Sequence, residues 1–194
     1  MSKTRSMLVE VARQLFAEKG FVETTMNDIA AASGKGRRTL YTYFRSKEEV
    51  YKSCIDSELA HVTSALSLVM KQNLEPKEKL EAYIRTRFEV MKDIVVRNGN
   101  LHGVFFRDIV EIEKVRNKVD KKETVMINQI LQAGVDKGVF HIQDIRKTAQ
   151  ILLYALKGLE VPYTRERFRG SKDRNQQIYE FLFHGLMGQS QQTH

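Results

Sequence analysis

One cysteine, two prolines and no apolar run of membrane-spanning length set the outer limits of this chain. Cys54 alone excludes an intramolecular disulfide and suits a reducing cytoplasm. It sits in Tyr51-Lys52-Ser53-Cys54-Ile55, which reads as helix, so a packed thiol is expected there rather than a redox sensor. With so few prolines, long helices are possible. A bilayer span needs about 20 apolar residues and none is present, nor does the N-terminus carry a signal-peptide core. A cytoplasmic location is expected, without a membrane partner. Metal-ligand spacing is missing among His61, His102, His141, His184 and His194. No nucleophile elbow, zinc signature or nucleotide loop occurs, so neither a cofactor nor an enzyme is expected.

What the chain does have is unevenly placed positive charge. Its 194 residues carry a net +8 with 42% apolar content, enough to bury a substantial core. Through Lys47, nine basic residues stand against four acidic ones, a net of +5, which leaves +3 for the remaining 147. A basic balance of this kind points to an anionic partner.

The basic segment has helical punctuation. Leu8, Val11, Ala12, Leu15 and Phe16 make one buried stripe on a first helix, with Arg5, Glu10, Arg13 and Glu18 outside it. Gly20 ends that helix. Thr25 and Asp28 form a capping box that starts a second, in which Ile29 and Ala32 face inward and the alanines at 30–32 allow close approach. Gly34 closes it after barely two turns. Gly36 caps a third helix over about 37–44, anchored by Leu40 and Phe44. Arg37, Arg38, Tyr41 and Thr42 then lie on or beside its opposite face, a mixture of groups suited to base edges and phosphates. Ser46 and Glu49 form a further capping box, placing Lys47 in the first turn of a fourth helix, within reach of a phosphate. Turn, caps and charge agree on a helix-turn-helix rather than a solvated basic face of an ordinary bundle.

This segment resembles the tetracycline-repressor (TetR) family of bacterial transcriptional regulators. The resemblance covers roughly residues 4–52. It rests on Leu15-Phe16-Ala17-Glu18-Lys19-Gly20-Phe21, Thr24-Thr25, Asp28-Ile29-Ala30, Gly34, and Thr39 through Glu49. It implies DNA contacts from Thr25, from Arg37, Arg38, Thr39, Tyr41, Thr42 and Tyr43 on the recognition helix, and from Lys47. Two places depart from the family pattern. The usual Gly-Val-Ser turn is Gly34-Lys35-Gly36, and the usual glycine before Thr-Leu-Tyr is Arg38. The exchanges add cationic groups and bear on the operator sequence, not on DNA binding itself. Gly34-Lys35-Gly36 lacks the spacing and preceding strand of a phosphate loop.

The remainder reads as helix throughout, giving an all-α chain of about nine helices. The division expected is 1–47 for the helix-turn-helix domain and 48–194 for a ligand-sensing and dimerisation domain. The fourth helix runs to about 72, and Pro76 opens a fifth. A sixth is expected over 101–112, a seventh to Gly138, then one over about 144–161 and a last over about 173–187. Arg87 falls on the apolar stripe of the fifth helix and needs a partner, either Asp108 or an acidic ligand. Tyr83, Phe88, Met91, Phe105, Phe106, Met126 and Tyr154, with Arg87, are candidate linings of an effector pocket; the same spacing also suits plain core.

Residues 151–156 are apolar all round and are expected to be buried on more than one side, and the final helix carries a wide apolar girdle. The resemblance implies that these two helices from each of two copies pack as a homodimer, through Leu152, Leu156, Ile178, Phe181, Leu182 and Leu186. A two-fold dimer reads two half-sites, so the expected partner is a near-palindromic duplex operator. The function expected is ligand-released repression. The alternatives are a helical enzyme, or a protein that binds DNA or anionic surfaces without specificity or ligand control.

Overall fold

The computed structural model describes residues 2–98 and 110–164, and every regular element among them is a helix. There are seven: α1 (Lys3–Lys19), α2 (Met26–Ala32), α3 (Arg37–Tyr43), α4 (Lys47–Met70), α5 (Pro76–Asn98), α6 (Val110–Asp136) and α7 (Ile145–Thr164). The expected helix over 173–187 lies outside the described residues, as does most of the one over 101–112. Val110 to Ile112 belong to α6, which continues unbroken to Asp136. No glycine or proline lies between Ile112 and Gly134 to stop it.

The described residues pack as two compact units, one of residues 2–62, 91–98 and 110–119 and one of residues 63–90 and 120–164. In the first, Ser2 caps α1 by accepting the Arg5 N–H at 3.2 Å. Leu8, Ala12 and Phe16 are fully buried at i, i+4 and i+8. Leu8 and Phe16 each contribute about 1.5–3 kcal/mol on leaving water, and the Ala12 methyl contributes less. Gly20 takes φ 83° and returns its N–H to the Phe16 carbonyl at 3.0 Å, ending the helix.

The stripe is rotated from the one expected. Val9 and Arg13 are buried, whereas Val11 and Leu15 are half-buried. Arg13 can go inside because its guanidinium is fully engaged there. It donates to both Glu10 oxygens, at 3.0 and 2.5 Å, and to the Arg97 carbonyl at 2.9 Å, with Glu58 at 3.9 Å. Glu58 in turn accepts from Arg97 at 2.8 Å and from Asn98 at 3.3 Å. Phe16, Phe21 and Tyr51 form an aromatic cluster with centroids 4.9–5.5 Å apart. Cys54 is buried and donates its S–H to the Val9 carbonyl at 3.4 Å, the packed thiol that its sequence setting suggested.

In the second unit, Leu80, Tyr83 and Ile84 of α5, Ile127 and Leu131 of α6 and Leu156 of α7 are fully or almost fully buried. Gly138 takes φ 69° after α6, and the Val139 and Phe140 N–H groups return to the Gly134 carbonyl at 2.8 and 3.1 Å. That return lays the Phe140 ring where a β-carbon at position 134 would stand. Helix α7 corrects one expectation. Ala149, Leu152, Leu153 and Leu156 are buried, but Ile151 and Tyr154 are each 67% exposed. One side of this helix faces out, so it is not buried all round.

Candidate nucleic-acid interface

Helices α2 and α3 owe their placement to local hydrogen bonds. The Thr25 hydroxyl accepts the Asp28 N–H at 3.2 Å and donates to Asp28 Oδ2 at 2.8 Å, while the same oxygen accepts the Thr25 N–H at 2.8 Å. This is the capping box read from the sequence. Bonds from the Thr25 hydroxyl, then its backbone, hold the Asp28 carboxyl below the usual carboxylate range. Within α2, Met26, Ile29, Ala30 and Ser33 share the inward face at helical spacing, which turns Ala32 outward, contrary to the sequence expectation.

The turn after α2 is a Schellman motif. The Lys35 N–H bonds the Ala30 carbonyl at 3.2 Å and the Gly34 N–H bonds the Ala31 carbonyl at 3.1 Å, with Gly34 at φ 62°. Only Gly34 is required for its left-handed backbone; a β-carbon at Gly36 would meet open space. Helix α3 begins directly afterwards. Leu40 and Phe44 are fully buried beneath it, as expected, and Arg5 lies over the Phe44 ring at 4.9 Å while donating to the Ser53 hydroxyl at 2.8 Å. The recognition helix is thus fastened from below.

Its outer side carries Arg37, Arg38, Tyr41 and Thr42, all exposed, with Thr39 and Tyr43 half-buried. The Arg37 guanidinium stands 5.7 Å from the Tyr41 ring centroid. Thr42 donates its hydroxyl hydrogen to the Arg38 carbonyl at 3.0 Å. Lys47 behaves differently from a free phosphate-seeking lysine. Its ammonium donates to the Phe21 and Val22 carbonyls at 2.7 and 3.0 Å and lies 4.6 Å from the Phe21 centroid. It clamps the segment between α1 and α2. At the start of α4, Ser46 accepts the Glu49 N–H at 3.3 Å, while the Glu49 carboxylate takes the Arg45 N–H at 2.7 Å.

The expected effector-pocket residues do not gather around one described cavity. Tyr83, Arg87 and Phe88 are buried in the second unit, Met91 belongs to the first, Met126 is half-buried and Tyr154 is exposed. Phe105 and Phe106 lie outside the described residues. A half-open cavity of about 180 Å³ in the second unit has Met70, Leu74, Pro76 and Ile130 on its wall, with Lys79 and Lys137 at its polar edge. Those two ammonium groups are engaged, Lys79 on the Met70 carbonyl at 3.4 Å and Lys137 on Glu75 at 2.8 Å.

Arg87 has a partner inside the protein in Glu123; Asp108, the partner suggested by the sequence, lies outside the described residues. Arg87 Nε meets Glu123 Oε2 at 2.6 Å, and the Tyr83 hydroxyl donates to the same oxygen at 3.2 Å. Glu123 escaped the sequence reading, although it continues the spacing of Val119, Met126 and Ile130 along α6. Of the expected dimer residues, Leu152 and Leu156 are in the core of their own unit, because Ile151 and Tyr154 occupy the outward side of α7. Ile178, Phe181, Leu182 and Leu186 lie outside the described residues.

Residues 8–54 match the model of the bacterial regulatory proteins, tetR family. The chain is 26% identical over 164 residues to the uncharacterised HTH-type transcriptional regulator YfiR of Bacillus subtilis, covering 81% of this chain and 78% of that one. It is also 26% identical over 144 residues to the HTH-type transcriptional repressor KstR2 of Mycobacterium tuberculosis, covering 72% and 70%. Its fold is that of a TetR/AcrR-family transcriptional regulator from Thermobifida fusca, with a TM-score of 0.79, 24% identity, and 95% and 98% of the two chains covered. That family consists of regulators rather than enzymes. Residues 8–54, closed by their capping box and Schellman turn, thus form a helix-turn-helix of the kind found in the tetR family of bacterial regulatory proteins.

Proposed function

We propose that this regulator represses transcription by binding a near-palindromic operator as a homodimer, and that a small-molecule effector releases it. The observation that carries DNA reading is the outer side of α3, where two arginines, a tyrosine and a threonine stand exposed on a helix fastened from below by Leu40 and Phe44. Guanidinium, phenol and hydroxyl groups in that setting suit base edges and phosphates. Residues 1–47 form the reading domain in this proposal, and residues 48–194 supply dimerisation and sensing. KstR2, one of the relatives, is named a repressor, which supports repression over activation.

A seven-residue helix reads few base pairs, so a second copy is needed to reach operator-level specificity. Ile151 and Tyr154 on α7 are suited to the copy–copy interface, together with the apolar residues Ile178, Phe181, Leu182 and Leu186 of the final segment. Release follows if the effector binds more tightly to a dimer whose reading helices no longer match the half-site spacing. The absence of any helix among the described residues long and apolar enough to cross a membrane fits a cytoplasmic site of action.

Binding to the duplex upstream of the chain's own gene, titrated with salt, tests this reading. A tight, salt-sensitive complex that survives competitor DNA is expected. Equal affinity for random duplex would overturn it.

A further inference from the structure

Eight residues were candidates for DNA contact, and the geometry ranks them. Three have donor hydrogens committed within the protein. The Thr25 hydroxyl gives its hydrogen to Asp28, the Thr42 hydroxyl gives its own to the Arg38 carbonyl, and Lys47 spends two donors on the Phe21 and Val22 carbonyls. Thr39 and Tyr43 are half-buried. Of the eight, the exposed groups whose donors meet no acceptor among the described residues are Arg37, Arg38 and Tyr41.

The two arginines are not equivalent. Arg37 and Tyr41 are i and i+4 on one face of α3, and the Arg37 guanidinium stands 5.7 Å from the ring centroid. No such ring restrains Arg38 among the described residues. A cation–π contact of this kind biases the rotamers of a long side chain before any ligand arrives, while leaving the N–H edge of the fork free to donate. Arg37 is also the first residue of α3, and the N-terminal residues of a recognition helix are those that meet base edges. A restrained planar fork with two parallel donors matches one pattern in the major groove above others, the O6 and N7 acceptors of guanine.

We propose that Arg37 reads a guanine in each operator half-site, and that Tyr41 is its positioning residue, through its ring rather than its hydroxyl. Arg38 grips backbone phosphate. The inference rests on the DNA-reading function proposed above and assigns the specificity within it.

The test is selection from a random duplex library with the full-length protein and its Arg37→Lys, Arg37→Ala, Tyr41→Phe, Tyr41→Leu and Arg38→Ala variants. Salt titration on the winning site and thermal melting accompany each selection. Wild type should enrich a two-fold symmetric motif with a guanine preferred about 10- to 100-fold at one position per half-site. Arg37→Lys keeps the charge but not the fork, so it should lose that preference while retaining the salt slope. Tyr41→Phe should preserve the preference, and Tyr41→Leu should relax it at the same base pair and no other. Arg38→Ala should weaken all sites uniformly and reduce the salt slope by about one.

No motif with wild type would overturn DNA reading itself. A motif that both Arg37 variants leave intact at every position would overturn the inference alone. So would a uniform loss in Arg37→Ala with a smaller salt slope, since that marks a phosphate grip. An unchanged preference in Tyr41→Leu, with wild-type melting, would remove the positioning role of the ring.

Discussion

Arg87 and Glu123 meet at 2.6 Å in the interior of the second unit, the first 4% and the second 2% exposed. The Tyr83 hydroxyl joins them on the same carboxylate oxygen. A buried ion pair of this kind is a weak source of net stability, because both charges lose their water. Losing one member is costly, because the other is then stranded. The pair also supplies internally the carboxylate that a ligand would otherwise bring to Arg87.

Glu123→Ala should therefore cost roughly 3–5 kcal/mol of unfolding free energy, read from the midpoint of urea denaturation. Arg87→Met combined with Glu123→Leu should cost much less than either single change, since it removes both charges and keeps their volume. A double variant as unstable as Glu123→Ala would mean that the geometry of the polar group, not the stranded charge, sets the loss.

The Arg13 cluster predicts an acid response. Glu10 lies below its ordinary value of 4.5, chiefly because the Arg13 side chain hydrogen-bonds its carboxylate. A carboxylate with a depressed folded-state pKa contributes stability above its unfolded value, and loses that contribution as the pH falls through the folded one. Stability should therefore fall below about pH 4.5, and Glu10→Gln should flatten that part of the profile. Denaturation midpoints measured from pH 7 to pH 3 would check it. An identical acid slope in the variant would exclude Glu10 as a contributor.

Cys54 predicts the opposite limb. Burial pushes its thiol from 9.0 up to about 12, and Glu58 and Glu10 add to the rise against the lowering effect of Arg13. Folded protein at pH 8 should react with a thiol reagent only as fast as it opens, whereas denatured protein should react at once. A raised folded-state pKa also means a contribution that is complete below the unfolded value and lost above it. Cys54→Ala should accordingly soften alkaline destabilisation between pH 9 and 12. Rapid labelling of the native thiol would contradict the burial seen here.

Sequence punctuation carried the helix-turn-helix and failed selectively elsewhere. Thr25, Asp28, Gly34, Leu40 and Phe44 act within a few residues of one another, so spacing revealed their roles before the structure did. Charge read without a partner puts Arg13 outside the buried stripe. Glu10 is a local partner, but the others that draw it inward, Glu58 and the Arg97 carbonyl, are 45 and 84 residues away along the chain, beyond the reach of any local pattern. Glu123 is silent in the sequence for the same reason, its partners Tyr83 and Arg87 lying on a different helix. In residues 151–156 every position is apolar, so periodicity had no phase and could not separate the inward side of α7 from the outward one.

That outward side supports the last prediction. Leu152 and Leu156 are 3% and 0% exposed within their own unit, so replacing Leu156 by alanine should cost about 2–5 kcal/mol of stability whatever the oligomeric state. Ile151 and Tyr154 are exposed and apolar, and a charge placed there disturbs no packing within the unit. Under the proposed dimer, Ile151→Glu should give a monomer in sedimentation equilibrium at concentrations where wild type is dimeric, while its helical content stays unchanged. Operator affinity should fall with it and the salt slope should roughly halve, because one reading helix then grips the phosphates that two gripped before. A variant that remains dimeric and binds the operator normally would place the copy–copy interface away from α7.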